Sequence, residues 1–161
     1  FYLSMKDLCV GEQIKELLNL EVFNHKIWEP CCGMNHITDV LRENLYNVNV
    51  RTSDIVDRVN DGTVEIIDFL NTNEKWDGDI ITNPPFNLIN EFILKGIELS
   101  NNKLAIFGKL QLLESFKRYN LIYKHIVYKD QYFDIMHFDL ICQIHNPLYI
   151  HLFLLQLQVN P

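Results

Sequence analysis

Long apolar runs are absent from this chain, and positive charge is scarce. No stretch reaches the ~18 uninterrupted apolar residues that a membrane-spanning helix needs, and no basic-then-apolar segment opens the sequence. These two absences lead us to expect a cytoplasmic protein without a membrane partner. Methionine is missing from the first position, which is Phe1, so a fragment or a processed chain is expected. No Cys-x-x-Cys pair occurs among Cys9, Cys31, Cys32 and Cys142, and the adjacent Cys31-Cys32 is too short for an ordinary zinc knuckle. His25, His36, His125, His137, His145 and His151 are scattered. No metal is therefore expected, and the cysteines read as reduced, packed thiols.

With 14 Lys and Arg against 21 Asp and Glu, the net charge of −7 works against the approach of phosphates. Basic residues still gather locally, at Lys103, Lys109, Lys117, Arg118, Lys124 and Lys129. They read either as solvated helix faces or as a nucleic-acid-facing edge after a fifth strand. The overall sign puts any strong target-recognition surface outside this chain. What the sequence does have is apolar material: 48% hydrophobic residues in a length of 161, enough for the core of about one domain. No internal repeat is visible.

The most informative segment is Asp79-Ile80-Ile81-Thr82-Asn83-Pro84-Pro85-Phe86. A buried parallel strand is expected to stop at Pro84 and Pro85, which have fixed φ and no N–H to donate. An amide, free carbonyls and an aromatic ring then gather at a strand's C-terminal end, where open α/β sheets bind ligands. Such acceptors beside a ring suit a planar base with an exocyclic amino group. Upstream, Lys26 to Asn35 reads as a strand, an acidic end at Glu29-Pro30 and a loop carrying Gly33. A glycine there lets a ligand approach backbone closely at the start of a helix. That helix is expected over His36 to Leu45, with Ile37, Val40, Leu41 and Leu45 on one face. A second strand, Val48 to Asp54, ends in a carboxylate about 20 residues after the loop, the spacing that reaches ribose hydroxyls in nucleoside-binding folds. A third, Thr63 to Ile67, runs into Asp68-Phe69-Leu70.

Glu-Pro-x-x-Gly, Ser-Asp-Ile, Asp-Phe-Leu and Asn-Pro-Pro-Phe, in that order, resemble the motif series of class I S-adenosylmethionine-dependent methyltransferases. The specific likeness is to the adenine-N6 DNA methyltransferases of bacteria and phages, over roughly residues 25 to 120. It implies a Rossmann-like, doubly wound α/β fold: a seven-stranded, mostly parallel sheet, helices on both faces and one late antiparallel strand. It implies S-adenosylmethionine as cofactor and DNA, or RNA, as partner. By resemblance, Asn83, Pro84, Pro85 and Phe86 form the catalytic segment: the Asn83 side chain and the Pro84 carbonyl accept from the target amino group, and Phe86 stacks on a flipped base. Glu29 orients the glycine loop or the methionine amino group, Pro30 belongs to the same cofactor-binding motif, and Gly33 gives backbone access. Asp54 takes the ribose hydroxyls, and Asp68 the cofactor's adenine amino group with Phe69 against its ring. The family's second glycine is Asn35 here; Asn tolerates positive φ, but its side chain is expected to crowd the methionine end. The alternatives are an RNA adenine or protein glutamine methyltransferase, or a truncated, inactive domain of the same fold.

The rest of the chain supplies helices at Gly11 to Leu20 and Leu88 to Leu99, and a fifth strand at Lys103 to Lys109. Turns are expected at Asp57 to Gly62 and Asn71 to Gly78, with Trp76 over a sheet edge. Gln111 to Tyr123 reads as helical. We expect a cofactor-binding and catalytic domain over 1–129. Over 130–161 we expect a divergent tail, with a last strand at Ile150 to Leu155. Only 53 residues separate Glu29 from Asn83 (83 − 29 − 1), which leaves no room for a recognition domain between them.

Overall fold

The structure is a computed structural model that describes residues 5–109, 132–138 and 150–158. Its elements run α1 (Met5–Leu20), β1 (Lys26–Pro30), α2 (His36–Asn44), β2 (Asn49–Asp54), β3 (Glu65–Ile66), β4 (Asp79–Thr82), α3 (Ile89–Leu99), β5 (Lys103–Lys109), β6 (Tyr132–Phe138) and β7 (Ile150–Gln158). They build a seven-stranded sheet in the order β3-β2-β1-β4-β5-β7-β6. Every pair among the first five strands is parallel, and β7 runs antiparallel to both β5 and β6. This is the doubly wound, Rossmann-like α/β fold. The order turns at β1 and β4, so the switch point lies where Glu29-Pro30 and Thr82-Asn83 leave the sheet.

Alternation along the strands sorts the core into two layers. Ile27, Val50, Ile81, Ala105 and Phe107 face α1 and α2, meeting Val10, Ile14, Leu17, Ile37 and Leu41. Trp28, Ile80, Leu104 and Ile106 face the other way, against Phe92, Ile93 and Ile97 of α3. Both sides of β1, β4 and β5 are thus covered, which is why those strands read as nearly continuous apolar runs. Gly96 allows α3 to lie this close: a Cβ there would stand 2.7 Å from Leu104 Cδ2.

Helix α1 is longer than the expected Gly11 to Leu20. Val10, one turn before Ile14, extends the buried face backwards, and Gly11 lies against Val40 of α2 instead of starting the helix. The third strand is shorter than expected. Only Glu65 and Ile66 pair, opposite Ser53 and Asp54, and both are exposed at the sheet's edge. The lower half of β2 is covered by other means. Arg42 Nη2 donates to the Val50 carbonyl at 3.4 Å, and the Thr52 hydroxyl donates to the Thr63 carbonyl at 3.1 Å. Trp76 lies beside the lower half of β2, as expected of an edge cover, and also reaches inward. It packs 5.8 Å from Trp28 of the central strand β1, with Arg51 over both rings and held by Glu65 and Glu74.

The ends of the strands opposite the switch point are pinned by Asp79. Its carboxylate accepts from the backbone N–H of Asn24 at 2.5 Å and of Lys103 at 3.0 Å, joining the entries of β1, β4 and β5. Lys103 is committed at this same end, paired with Glu21 at 3.0 Å, so it belongs to the edge away from the switch point. Lys117, Arg118, Lys124 and Lys129, and the helix expected over Gln111 to Tyr123, lie outside the described residues.

Candidate functional site

Pro30 ends β1 and Thr82 ends β4, and the Thr82 hydroxyl donates to the Pro30 carbonyl, locking the two exits together. The chain then winds through a loop with three left-handed residues, Cys31 (φ 71°), Gly33 (φ 56°) and Asn35 (φ 65°). The turn is held from β2: Cys32 N–H donates to the Ser53 carbonyl at 3.0 Å, and Gly33 N–H donates to Asp54 Oδ2 at 3.0 Å. A cysteine at positive φ costs on the order of 1 kcal/mol, a cost that structures tolerate where loop shape matters. Asn35 takes the left-handed conformation expected of it and leads into α2.

Two cavities open along this loop. The first, about 210 Å³, is lined by Glu29, Cys31, Gly33, His36 and Asn83 among others. The second, about 170 Å³, has Asp54, Ile55, Asp68, Phe69 and Pro85 in its wall. Cys31 lines both, so they adjoin across its side chain. Seven expected site residues are brought together: Glu29, Gly33 and Asn83 in the first cavity, and Asp54, Asp68, Phe69 and Pro85 in the second. Pro30 and Pro84 are buried and line neither. Phe86 also lines neither; its half-buried ring packs on the α1 and α2 side of the sheet.

The carboxylates differ in their surroundings. Glu29 is 1% exposed and accepts from the Thr38 hydroxyl. Burial pushes its carboxyl up to about 8, against the smaller opposing effect of the Thr38 hydrogen bonds. Asp54 is buried too but is met by donors on both oxygens. Oδ2 takes Gly33 N–H, and Oδ1 takes Val56 N–H at 3.2 Å and Arg58 Nη1 at 2.8 Å. Asp68 is exposed at the rim, where it caps a turn by accepting from Leu70 N–H at 3.0 Å and Asn71 Nδ2 at 2.6 Å. Phe69 is largely a core residue: its ring stacks on Phe92 at 5.1 Å and meets the edge of Trp28 at 5.3 Å, which leaves 3% of it exposed. The half-buried Asn83 carboxamide has no hydrogen-bond partner among the described residues. Burial also raises the thiols, Cys31 to about 11 and Cys32 to about 12, so both stay protonated and unreactive near neutral pH. No group of three or more His, Cys, Asp or Glu among the described residues is placed to hold a metal ion.

The sequence did not point to Cys31 as the wall between the cavities, nor to Ile55. Ile55 directly follows the carboxylate that ends β2 and is 63% exposed. An apolar residue just past a strand-end acid was the available signal. Asn35 corrects another expectation. It is 6% exposed and absent from the wall of the first cavity, so it does not crowd that space. Its Oδ1 is instead buried without a hydrogen bond among the described residues. Asn35→Gly therefore relieves an unsatisfied acceptor at a φ that glycine prefers. It should raise stability to denaturant by about 1–3 kcal/mol. Unchanged or reduced stability in equilibrium unfolding would mean that the Asn35 amide contributes a contact of its own.

No protein-family model and no curated protein matches the chain. Solved structures do. Magnesium protoporphyrin IX methyltransferase from Synechocystis PCC 6803, with bound SAM, superposes at a TM-score of 0.61 and 12% identity, covering 97% of this chain and 85% of that one. Ribosomal protein L11 methylase from Lactobacillus delbrueckii subsp. bulgaricus gives 0.60 and 12%, covering 95% and 79%. The plantazolicin methyltransferase BpumL, in complex with SAH, gives 0.57 and 11%, covering 94% and 84%. Likeness at such identity establishes the shared fold.

Proposed function

We propose that this chain is an S-adenosylmethionine-dependent methyltransferase domain that methylates the N6 amino group of adenine in DNA. The observation that carries the reading is the pair of adjoining cavities at the switch point, with Asn83 in one and Pro85 in the other. An elongated ligand with an amino-acid end and a nucleoside end fits such a cleft. Glu29 is the group for a ligand ammonium, because a positive charge beside it favours the carboxylate that burial disfavours. Asp54 and Asp68 are the acceptors for the nucleoside, and Gly33 leaves its side of the cavity free of a side chain. Two of the similar structures hold SAM or SAH, which supports the same cofactor here.

When bound, that cofactor supplies an electrophilic methyl group on a sulfonium. The chain's own part is orientation and acceptance of hydrogen bonds. An aromatic amino nitrogen is a weak nucleophile because its lone pair is delocalised into the ring. The Asn83 carboxamide oxygen and the Pro84 carbonyl, accepting from its two hydrogens, would localise that lone pair and aim it. No residue need remove a proton before attack, since the amine is neutral.

A second reading, an RNA or a protein amide as substrate, is favoured by the position of Phe86. Its ring packs on the core and lines neither cavity. The ribosomal protein methylase among the similar structures points the same way. Calorimetric titration with S-adenosylhomocysteine, followed by methyl-label transfer to DNA, RNA and release factor, separates the readings. We expect binding and label in DNA adenine. Label confined to RNA or protein moves the substrate, and absence of cofactor binding removes the enzyme reading.

A further inference from the structure

Asp54 is the most heavily engaged carboxylate of the cleft, and its engagement has to change when a ribose arrives. Its side chain is 2% exposed. Among the described residues, three donors already reach it: Gly33 N–H on Oδ2, and Val56 N–H and Arg58 Nη1 on Oδ1. An ionised carboxylate offers about four acceptor positions, so about one is left. A ribose diol brings two donors from adjacent carbons. Seating both on Asp54 requires one present donor to leave. Gly33 and Val56 donate from backbone held in turns, one of them in the loop that shapes both cavities. Arg58 donates from a side chain that is 47% exposed and has water to turn into.

We infer that Arg58 is a latch on the ribose subsite: in the empty cleft it occupies the place on Asp54 that the diol takes, and it swings out when an adenosyl ligand binds. The inference rests on the adenosyl-cofactor reading. No covalent bond changes; one charge-assisted hydrogen bond is exchanged for two hydroxyl donors to the same carboxylate. Because the ion pair belongs to the empty form, it opposes binding. A ligand's apparent affinity falls by the share of molecules in which the competent form is absent.

The test is calorimetry on the full chain and on Arg58→Ala and Arg58→Gln, with adenosine, 2′-deoxyadenosine and S-adenosylhomocysteine. Arg58→Ala should bind adenosine and S-adenosylhomocysteine roughly tenfold more tightly than the parent chain, the scale of one charge-assisted hydrogen bond. Arg58→Gln keeps a neutral donor and should fall between them. The gain should shrink to less than about threefold for 2′-deoxyadenosine, whose single remaining hydroxyl finds the position already free. Unchanged or weaker adenosine binding in Arg58→Ala would make Arg58 a bystander or a ligand contact. An equal gain for both nucleosides would equally overturn the latch. If none of the three proteins binds S-adenosylhomocysteine or adenosine, the adenosyl reading itself fails, and the latch falls with it.

Discussion

Glu29→Gln should leave the ligand-free protein markedly more stable than the parent chain at pH 9, yet weaken its hold on the cofactor. The carboxyl has an ordinary value of 4.5 and is pushed up to about 8 in the folded chain, chiefly by burial. Between those values the folded state keeps a proton that the unfolded state has lost. Stability from this group is therefore complete below about 4.5 and disappears as pH rises through about 8. The full span corresponds to about 5 kcal/mol at about 1.4 kcal/mol per pH unit. Gln has no proton to lose and can still accept from Thr38, so its stability should stay flat through that window. Denaturant unfolding of both proteins at pH 5 and pH 9 checks this; parallel curves would mean that Glu29 is solvated when charged. Cofactor binding should move the other way. An ammonium needs the carboxylate, so binding near pH 7 should release close to one proton from the parent chain and none from Glu29→Gln. Calorimetry in buffers of different ionisation enthalpy reads that proton directly.

Asn83→Ala should reduce methyl transfer by at least about a hundredfold, the scale for losing one positioned polar group at a reacting centre. S-adenosylhomocysteine affinity should move by less than about threefold, because Asn83 is assigned to the target amine and not to the donor. The Asn83 carboxamide has no hydrogen-bond partner among the described residues, so its removal should leave the fold unharmed. Phe86→Ala differs, since its half-buried ring packs on the α1 and α2 layer and its loss should lower stability as well as turnover. Turnover, cofactor affinity and unfolding would be measured on both variants. A similar loss of cofactor binding in both would reduce the tetrapeptide to a structural turn.

The sheet and the gathering of strand ends were legible because they rest on local chemistry. Pro84 and Pro85 must end a strand, alternation must split Ile80 from Ile81, and a carboxylate at Asp54 must end β2 because the chain turns there. What stayed hidden depends on neighbours far along the chain. The length of β3 is set by its place at the edge, where only Ser53 and Asp54 offer partners. Phe69 reads as a ligand platform until Phe92 and Trp28, from α3 and β1, take its faces. Trp76 reads as an edge cover, and its further packing on Trp28 and Arg51 had no signal in its own segment. The protonation of Glu29 could not be read at all, since burial and not residue type determines it. The described core therefore follows from pattern, while the states of its polar groups follow from packing.

An incomplete outer strand also bears on how these molecules behave together at high concentration. A backbone edge with unpaired carbonyls recruits strands from other chains and seeds edge-to-edge association. Among the described residues the lower half of β2 is such an edge, because β3 stops after two residues. The Arg42 guanidinium over the Val50 carbonyl puts a charge there that an incoming strand would have to displace and strip of water. The ion pairs of Arg51 with Glu65 and Glu74 add further charge beside the same strand. A charge at Arg42 is therefore expected to oppose such self-recruitment. A neutral residue in its place would show its cost as turbidity and lost yield, with the cleft left intact.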